Sequence, residues 1–259
     1  RDCKIPVWHD DQQGTATVEV AGAINALKVV GKKFEEAHFA IVGAGAASLA
    51  IARLLLATGT KPQNLCMCDS TGILNLEREE LKEKYRQKWE ICEKTDGAGK
   101  RGGLKEAMKG ADIVIAASKP GPGTIPPEYI DGMASDPIIF ATANPVPEIW
   151  PWEAKERGVK VFATGRSDFP NQVNNSMGFP AIFRGVLDVR ATTITDNMCL
   201  AAARELAKCA EEKGIHEEYI IPTMSETEVF YREAAAVGMQ AQKDGVARLK
   251  LSRQELHDK

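Results

Sequence analysis

Residues 39–48, Phe39-Ala40-Ile41-Val42-Gly43-Ala44-Gly45-Ala46-Ala47-Ser48, carry an apolar strand through two glycines into an alanine-rich helix. Gly43 permits a sharp turn, and Gly45 lets a ligand approach the backbone closely. The first amides of a helix have no intrahelical partners, so their N–H groups can receive a diphosphate. Ser48 takes the third small-residue position of the pattern. It is small enough for close helix packing, and its hydroxyl has the chemistry to meet a phosphate. Gly43, Ala44, Gly45, Ala46, Ala47 and Ser48 are therefore the expected diphosphate loop. A plain strand-to-helix turn is the alternative.

Outward from this loop the chain alternates. Strands are expected at His38–Gly43, Asn64–Asp69, Asp112–Ala117, Pro137–Thr142 and Val159–Thr164. Ile41-Val42, Ile113-Val114-Ile115 and Ile138-Ile139-Phe140 are continuously apolar, as suits strands covered on both faces. Helical stretches intervene at Ala46–Ala57, Glu77–Ile91, Leu104–Lys109, Pro127–Met133 and Trp152–Arg157. The alternation predicts an α/β fold, a doubly wound, Rossmann-like parallel sheet with right-handed crossovers. Thr15–Val30 has helical apolar spacing and stops at Gly31-Lys32-Lys33. Thr195–Lys213 and Ser225–Ala241 are striped C-terminal helices, expected to pack on the sheet domain or on another subunit. The expected organisation is an extended acidic segment over 1–12, a nucleotide-binding domain over 13–190 and a helical segment over 191–259.

Composition narrows the function classes. The 259 residues are 44% hydrophobic, enough to fill a core. With 33 Lys and Arg against 36 Asp and Glu, the net charge is −3, which points to neither nucleic acid nor a membrane surface as partner. No apolar run approaches the roughly 20 residues that span a bilayer. The six cysteines include no Cys-x-x-Cys pair, so free thiols in a reducing cytoplasm are expected.

Asp69 ends the second strand, where a carboxylate accepts hydrogen bonds from the ribose hydroxyls and repels a 2′-phosphate. This favours NAD; Lys82 and Lys84 nearby keep NADP open. A cap on the Ser70-Thr71-Gly72 turn is the simpler role for Asp69. Thr95–Gly103 holds a Gly-Lys pair, but no Ser or Thr follows Lys100 and no strand precedes it. A mobile surface loop is expected there.

Three further stretches carry polar chemistry. His9-Asp10-Asp11-Gln12-Gln13-Gly14 puts two carboxylates before a helix. By itself the pair reads either as a helix cap or as a source of one or two of the six or so oxygens that Mg²⁺ or Mn²⁺ requires. His9, beside them, is read as structural. Asn144, held out of helical conformation by Pro145, closes the fourth strand and can bind a carboxylate or a ribose. Asn174 and Asn175 follow the fifth strand and could orient a nicotinamide or a substrate, with Arg166 and Asp168 bracing their loop as an ion pair.

Ile5–Ala16, Val42–Ala47, Ala143–Glu148 and Thr164–Asn175 together resemble the malic enzyme family in its compact bacterial and archaeal form. The resemblance implies that Asp11 is a carboxylate of a divalent metal site, Mg²⁺ or Mn²⁺, and that Asp10 belongs to the catalytic hydrogen-bond network. It implies that Asn144 and Asn175 contact substrate and nicotinamide. The implied reaction is oxidative decarboxylation of L-malate to pyruvate and CO₂. Hydride passes to NAD(P), the metal polarises the C2 oxygen and stabilises the enolate, and an acid returns a proton to carbon.

One departure from the family pattern stands out. The family takes a tyrosine acid, a lysine base and a Glu-Asp metal pair from a domain that precedes the Asp-Asp motif. Here nine residues precede it, none of them Tyr or Glu, and the chain starts at Arg1. The expectation is a cofactor-binding part without its N-terminal catalytic domain, which binds NAD(P) and oxidises malate poorly or not at all alone. A homodimer is the expected assembly. Two other readings stand beside it: a dinucleotide-binding module without chemistry, which would need no metal at Asp11, and another dehydrogenase of the same fold, such as one acting on amino acids.

Overall fold

Alternate residues of each central strand enter different cores. Phe39 and Ile41 join Ile113, Ile115, Ile138 and Phe140 on one face, while Ala40 and Val42 join Val114, Ala116, Ile139 and Ala141 on the other. A strand buried on both faces has no solvent side, which is why these runs lack polar alternation. The computed structural model describes residues 5–259.

Six strands form one sheet: β1 Phe39–Val42, β2 Leu65–Asp69, β3 Gly72–Ile73, β4 Ile113–Ala116, β5 Ile138–Ala141 and β6 Val161–Thr164. Their order is β3-β2-β1-β4-β5-β6. Phe39 pairs with both Leu65 and Ile113, and every pairing is parallel except β2 with β3. The chain leaves β1 for β2 on one side and later returns to place β4 on the other. The reversal opens a crevice at the carboxyl ends of β1 and β4. The expected doubly wound sheet is the one observed. The short antiparallel β3 was not expected, because two residues carry no periodic signal.

The helices are α1 Thr15–Val29, α2 Ala46–Thr58, α3 Glu80–Lys84, α4 Arg86–Thr95, α5 Leu104–Met108, α6 Pro151–Glu156, α7 Phe179–Asp188, α8 Asp196–Lys213, α9 Glu228–Lys243 and α10 Arg253–His257. α1, α2 and α8 cover one face of the sheet; α5 and α6 cover the other. Asn25 of α1 donates to the carbonyls of Ala207 and Ile220, which locks α8 against the sheet domain. α7 to α10 share a third apolar cluster around Ile182, Met198 and Val237.

Several expectations are corrected. The acidic segment is not extended up to residue 12: Asp10–Gly14 form a wide helical turn running into α1. Residues 1–4 of that segment, with Cys3, lie outside the described residues. The helix expected over Glu77–Ile91 breaks at Tyr85, whose φ of −143° is not helical. Pro127–Gly132 is a 3₁₀ turn, not an α-helix. The glycine loop expected to be mobile is pinned: Arg101 pairs with Asp96 and Glu77, and the Ile73 N–H donates to the Gly102 carbonyl at 2.9 Å. Two ion pairs and a sheet-edge hydrogen bond offset the backbone freedom of its glycines.

Candidate functional site

Gly43 leaves β1 with φ +103°, and a Cβ there would lie 2.7 Å from the Ala117 carbonyl oxygen. Only glycine accepts both constraints. Gly45, the residue before α2, has open space above its α-carbon, and no side chain caps the helix. Gly45 thus brings the start of α2 to the edge of a cleft of about 690 Å³, lined by Val42–Gly45, Cys68–Gly72, Lys88, Leu104, Ala117, Ser118 and Lys119. Ser48 does not face this cleft: it is fully buried, and its hydroxyl donates to the Ala117 carbonyl at 3.1 Å. Its role here is close packing of α2 on the end of β4.

Asp69 sits at the far end of the cleft, already paired. Its Oδ1 accepts from Arg78 at 2.8 Å and from the Thr71 N–H at 3.0 Å, and its Oδ2 accepts from Lys88 at 2.8 Å. Burial would raise its pKa, but these donors prevail and hold it at about 2. The turn-capping role is observed through the Thr71 N–H, and Asp69 also lines the cleft. The cations beside it are Arg78, from the turn before α3, and Lys88 of α4; Lys82 and Lys84 are exposed on the surface. Cys66 and Cys68, on the second face of the sheet, are pushed up to about 11 and about 12 by burial and stay as thiols.

A second pocket, of about 210 Å³, adjoins the first through Ala117. It gathers Asp11, Thr15, Ala47, Asn144, Asn174 and Asn175. The Asn175 carboxamide donates to Asp11 Oδ1 at 3.5 Å. Asn144 is exposed, and its carboxamide makes no hydrogen bond among the described residues. Asn174 is occupied differently: it donates to the Gly165 carbonyl at 3.1 Å and accepts from the Ser176 N–H at 3.0 Å. Its amide braces the loop that carries Asn175. Arg166 and Asp168 form the expected ion pair, and Arg166 also donates to the Pro145 carbonyl at 2.6 Å, fastening this loop to that of Asn144.

Asp10 lies in the same turn but points inward. Its Oδ1 is buried with no partner among the described residues, and a Cβ on Gly14 would sit 2.0 Å from that oxygen. Gly14 is thus the space that holds the Asp10 carboxyl. Burial raises its pKa, and the neighbouring Asp11 adds to the effect. His9 is exposed; its carbonyl accepts from the N–H groups of Gln12 and Gln13 and so starts the turn. Among the described residues no three His, Cys, Asp or Glu side chains converge as a metal cage. The donor set fits one corner of a divalent cation's shell, the outward carboxylate of Asp11.

Sequence reasoning missed two residues that shape the site. Glu148 is fully buried behind both pockets. Asn171, at φ +55°, donates to the carbonyls of Phe162 and Glu217 and holds the start of the asparagine loop. Positive φ in a non-glycine residue leaves no mark in the sequence beyond the Asn itself.

Residues 12–242 match the family model described as malic enzyme, NAD binding domain. The chain belongs to the malic enzyme family. It is 43% identical over its whole length to the bifunctional malic/malolactic enzyme of Bacillus subtilis, and covers 62% of that protein. It is 45% identical to the NAD-dependent malic enzyme of Geobacillus stearothermophilus, covering 94% of this chain and 49% of that one. The crystal structure of Entamoeba histolytica malic enzyme superposes with a TM-score of 0.96 at 51% identity, over all of this chain and 54% of that one. The malic enzyme of Pyrococcus horikoshii superposes with a TM-score of 0.94 at 48% identity, over all of this chain and 60% of its own. The chain thus spans about half to three-fifths of the length of these relatives.

Proposed function

We propose that this chain is the NAD(P)-binding part of an enzyme that oxidatively decarboxylates L-malate to pyruvate and CO₂. The observation that carries the reading is the uncapped N-terminus of α2 opening on a cleft at the switch point of the sheet. A diphosphate laid there is held by backbone N–H groups and by the helix dipole. The adenosine half would run toward Asp69, and the nicotinamide half toward Asn144 and Asn175.

The second pocket supports a substrate site. Asn144 offers a free carboxamide to a carboxylate, and Asn175 contacts both the pocket and Asp11. Asp11 would hold a divalent cation, Mg²⁺ or Mn²⁺, with the other oxygens supplied by substrate, water and the rest of the protein. When bound, that cation polarises a C2 oxygen and stabilises an enolate as a Lewis acid. Asp10, whose pKa burial raises, would sit behind Asp11 in the hydrogen-bond network of the site. No lysine or tyrosine lines the pocket, so the acid and base of the reaction come from outside these lining residues.

The ribose end carries features that suit either dinucleotide. Relatives include NADP-dependent malic enzymes, such as that of Halomonas elongata, as well as NAD-dependent ones. Asp69 favours ribose hydroxyls, while Lys88 and Lys119 provide positive charge for a 2′-phosphate. A homodimer remains the proposed assembly. Titration calorimetry of the 259-residue chain with NAD⁺ and NADP⁺ tests the reading: micromolar binding of at least one is expected, with malate turnover far below that of the full-length protein. Absence of heat with both would sink it.

A further inference from the structure

One buried carboxylate joins the two pockets. Glu148 Oε1 accepts from the Ser118 N–H at 2.8 Å and from the Ser118 hydroxyl at 2.9 Å, and its Oε2 accepts from the Ala143 N–H at 3.1 Å. The side chain is wholly removed from solvent. Ser118 follows β4 and lines the larger cleft; Ala143 follows β5 and lines the smaller pocket beside Asn144. Every partner is a donor, and a carboxylate is an acceptor at both oxygens. A protein does not bury a carboxyl against three donors in two separate loops for packing alone, since an apolar side chain fills space at lower cost. From outside, Arg166 holds the Pro145 carbonyl. The residues around Asn144 are therefore clamped from both sides.

We propose that Glu148 is a positioning residue. Through the Ala143 N–H it sets the Asn144 carboxamide against the nicotinamide, and through Ser118 it keeps that half of the site in register with the diphosphate half. This rests on the dinucleotide reading above, and it makes a selective claim. Loosening the Ala143 bond disturbs the nicotinamide end and spares the adenosine end.

Glu148→Gln tests it on the 259-residue chain. The new amide oxygen keeps Ser118, while the new NH₂ faces the Ala143 N–H, two donors in opposition. Calorimetry compares NAD⁺ with ADP-ribose, which lacks the nicotinamide. NAD⁺ binding is expected to weaken about ten-fold (~1.4 kcal/mol), and ADP-ribose binding to stay within about two-fold. Added to Asn144→Ala, E148Q is expected to cause no further loss of NAD⁺ affinity, because it acts through Asn144. Equal weakening of both ligands, unchanged NAD⁺ binding, or additive losses in the double variant would each overturn the assignment while leaving the dinucleotide reading intact. Failure of the unaltered chain to bind either ligand would overturn both. Amide exchange on the unaltered chain decides the matter even if E148Q does not fold. The Ala143 N–H is expected to be protected in the free chain and slowed further by NAD⁺ but not by ADP-ribose; an Ala143 N–H indifferent to NAD⁺ refutes the proposal.

Discussion

The Asn175 carboxamide and the Asp11 carboxylate meet at 3.5 Å although 164 residues separate them. The wide turn at Asp10–Gly14 presents Asp11 outward, and the loop after β6 brings Asn175 to it. On the proposed reading Asp11 supplies charge and not shape, since a cation at this corner would need a full carboxylate. Asp11→Asn in the full-length protein is expected to lower kcat with Mn²⁺ by about 10²–10³-fold. NAD⁺ affinity of the 259-residue chain should be unchanged, because the dinucleotide loop is untouched. Steady-state kinetics, with Mn²⁺ binding followed by electron paramagnetic resonance, check this. Unaltered Mn²⁺ affinity in the variant would remove Asp11 from the metal site.

On the proposed reading Lys88 governs what Asp69 can offer a ribose. Its ammonium lies 2.8 Å from Asp69 Oδ2, and the side chain is mostly buried. Without it, that oxygen is free to accept a ribose hydroxyl and to repel a 2′-phosphate. Lys88→Ala is expected to weaken NADP⁺ about ten-fold while leaving NAD⁺ equal or tighter. Competitive titration with the two dinucleotides reads the ratio. A parallel loss of both would place Lys88 in folding and not in selection.

The sheet and the glycine turn between β1 and α2 were legible because each rests on a local pattern, apolar strands of four or five residues and glycines at fixed offsets. That Asn144 and Asn175 come to one pocket was legible for a related reason: each follows a strand of the parallel sheet, so both lie at its carboxyl end. What the sequence hid was partner choice. Ser48 looks equally able to meet a phosphate or a carbonyl, and the structure gives it the Ala117 carbonyl. Asn174 and Asn175 are chemically identical neighbours, yet one braces the loop and the other faces the pocket. The cations of Asp69 are Arg78 and Lys88, nine and nineteen residues away. Arg78 comes from the turn before α3 and Lys88 from α4, beyond the break at Tyr85, which no proline or glycine marks.

Glu19 makes stability depend on pH. It lies in α1, fully buried, with neither oxygen partnered among the described residues. Burial pushes its pKa from 4.5 up to about 8, and nearby Glu148 adds to the effect. The folded chain therefore keeps a proton that the unfolded chain has already released between pH 4.5 and about 8. Stability falls as pH rises through that window, at no more than about 1.4 kcal/mol per pH unit, and levels off above it. Glu19→Gln removes this dependence and is expected to be the more stable form at pH 8 by about 2 kcal/mol. Urea melts of both chains at acid and alkaline ends of the window check this. A stability difference that does not change with pH would show that Glu19 enters the fold already charged.

Gly43 and Gly45 differ in what they make room for. At Gly43 the protein itself fills the space, with the Ala117 carbonyl 2.7 Å from where a Cβ would be, and φ is +103°. At Gly45, φ is −81° and nothing lies within 4 Å. Gly43→Ala is therefore expected to cost about 2–3 kcal/mol of stability, from backbone strain and steric conflict together. Gly45→Ala should change stability by less than about 0.5 kcal/mol, as at an open surface position. Its methyl group enters the space a diphosphate would take, so dinucleotide affinity should still drop about ten-fold or more. Thermal melts and calorimetry on the two variants separate the effects. A Gly45→Ala chain that binds both dinucleotides as tightly as the unaltered one would mean that the ligand does not lie over the start of α2.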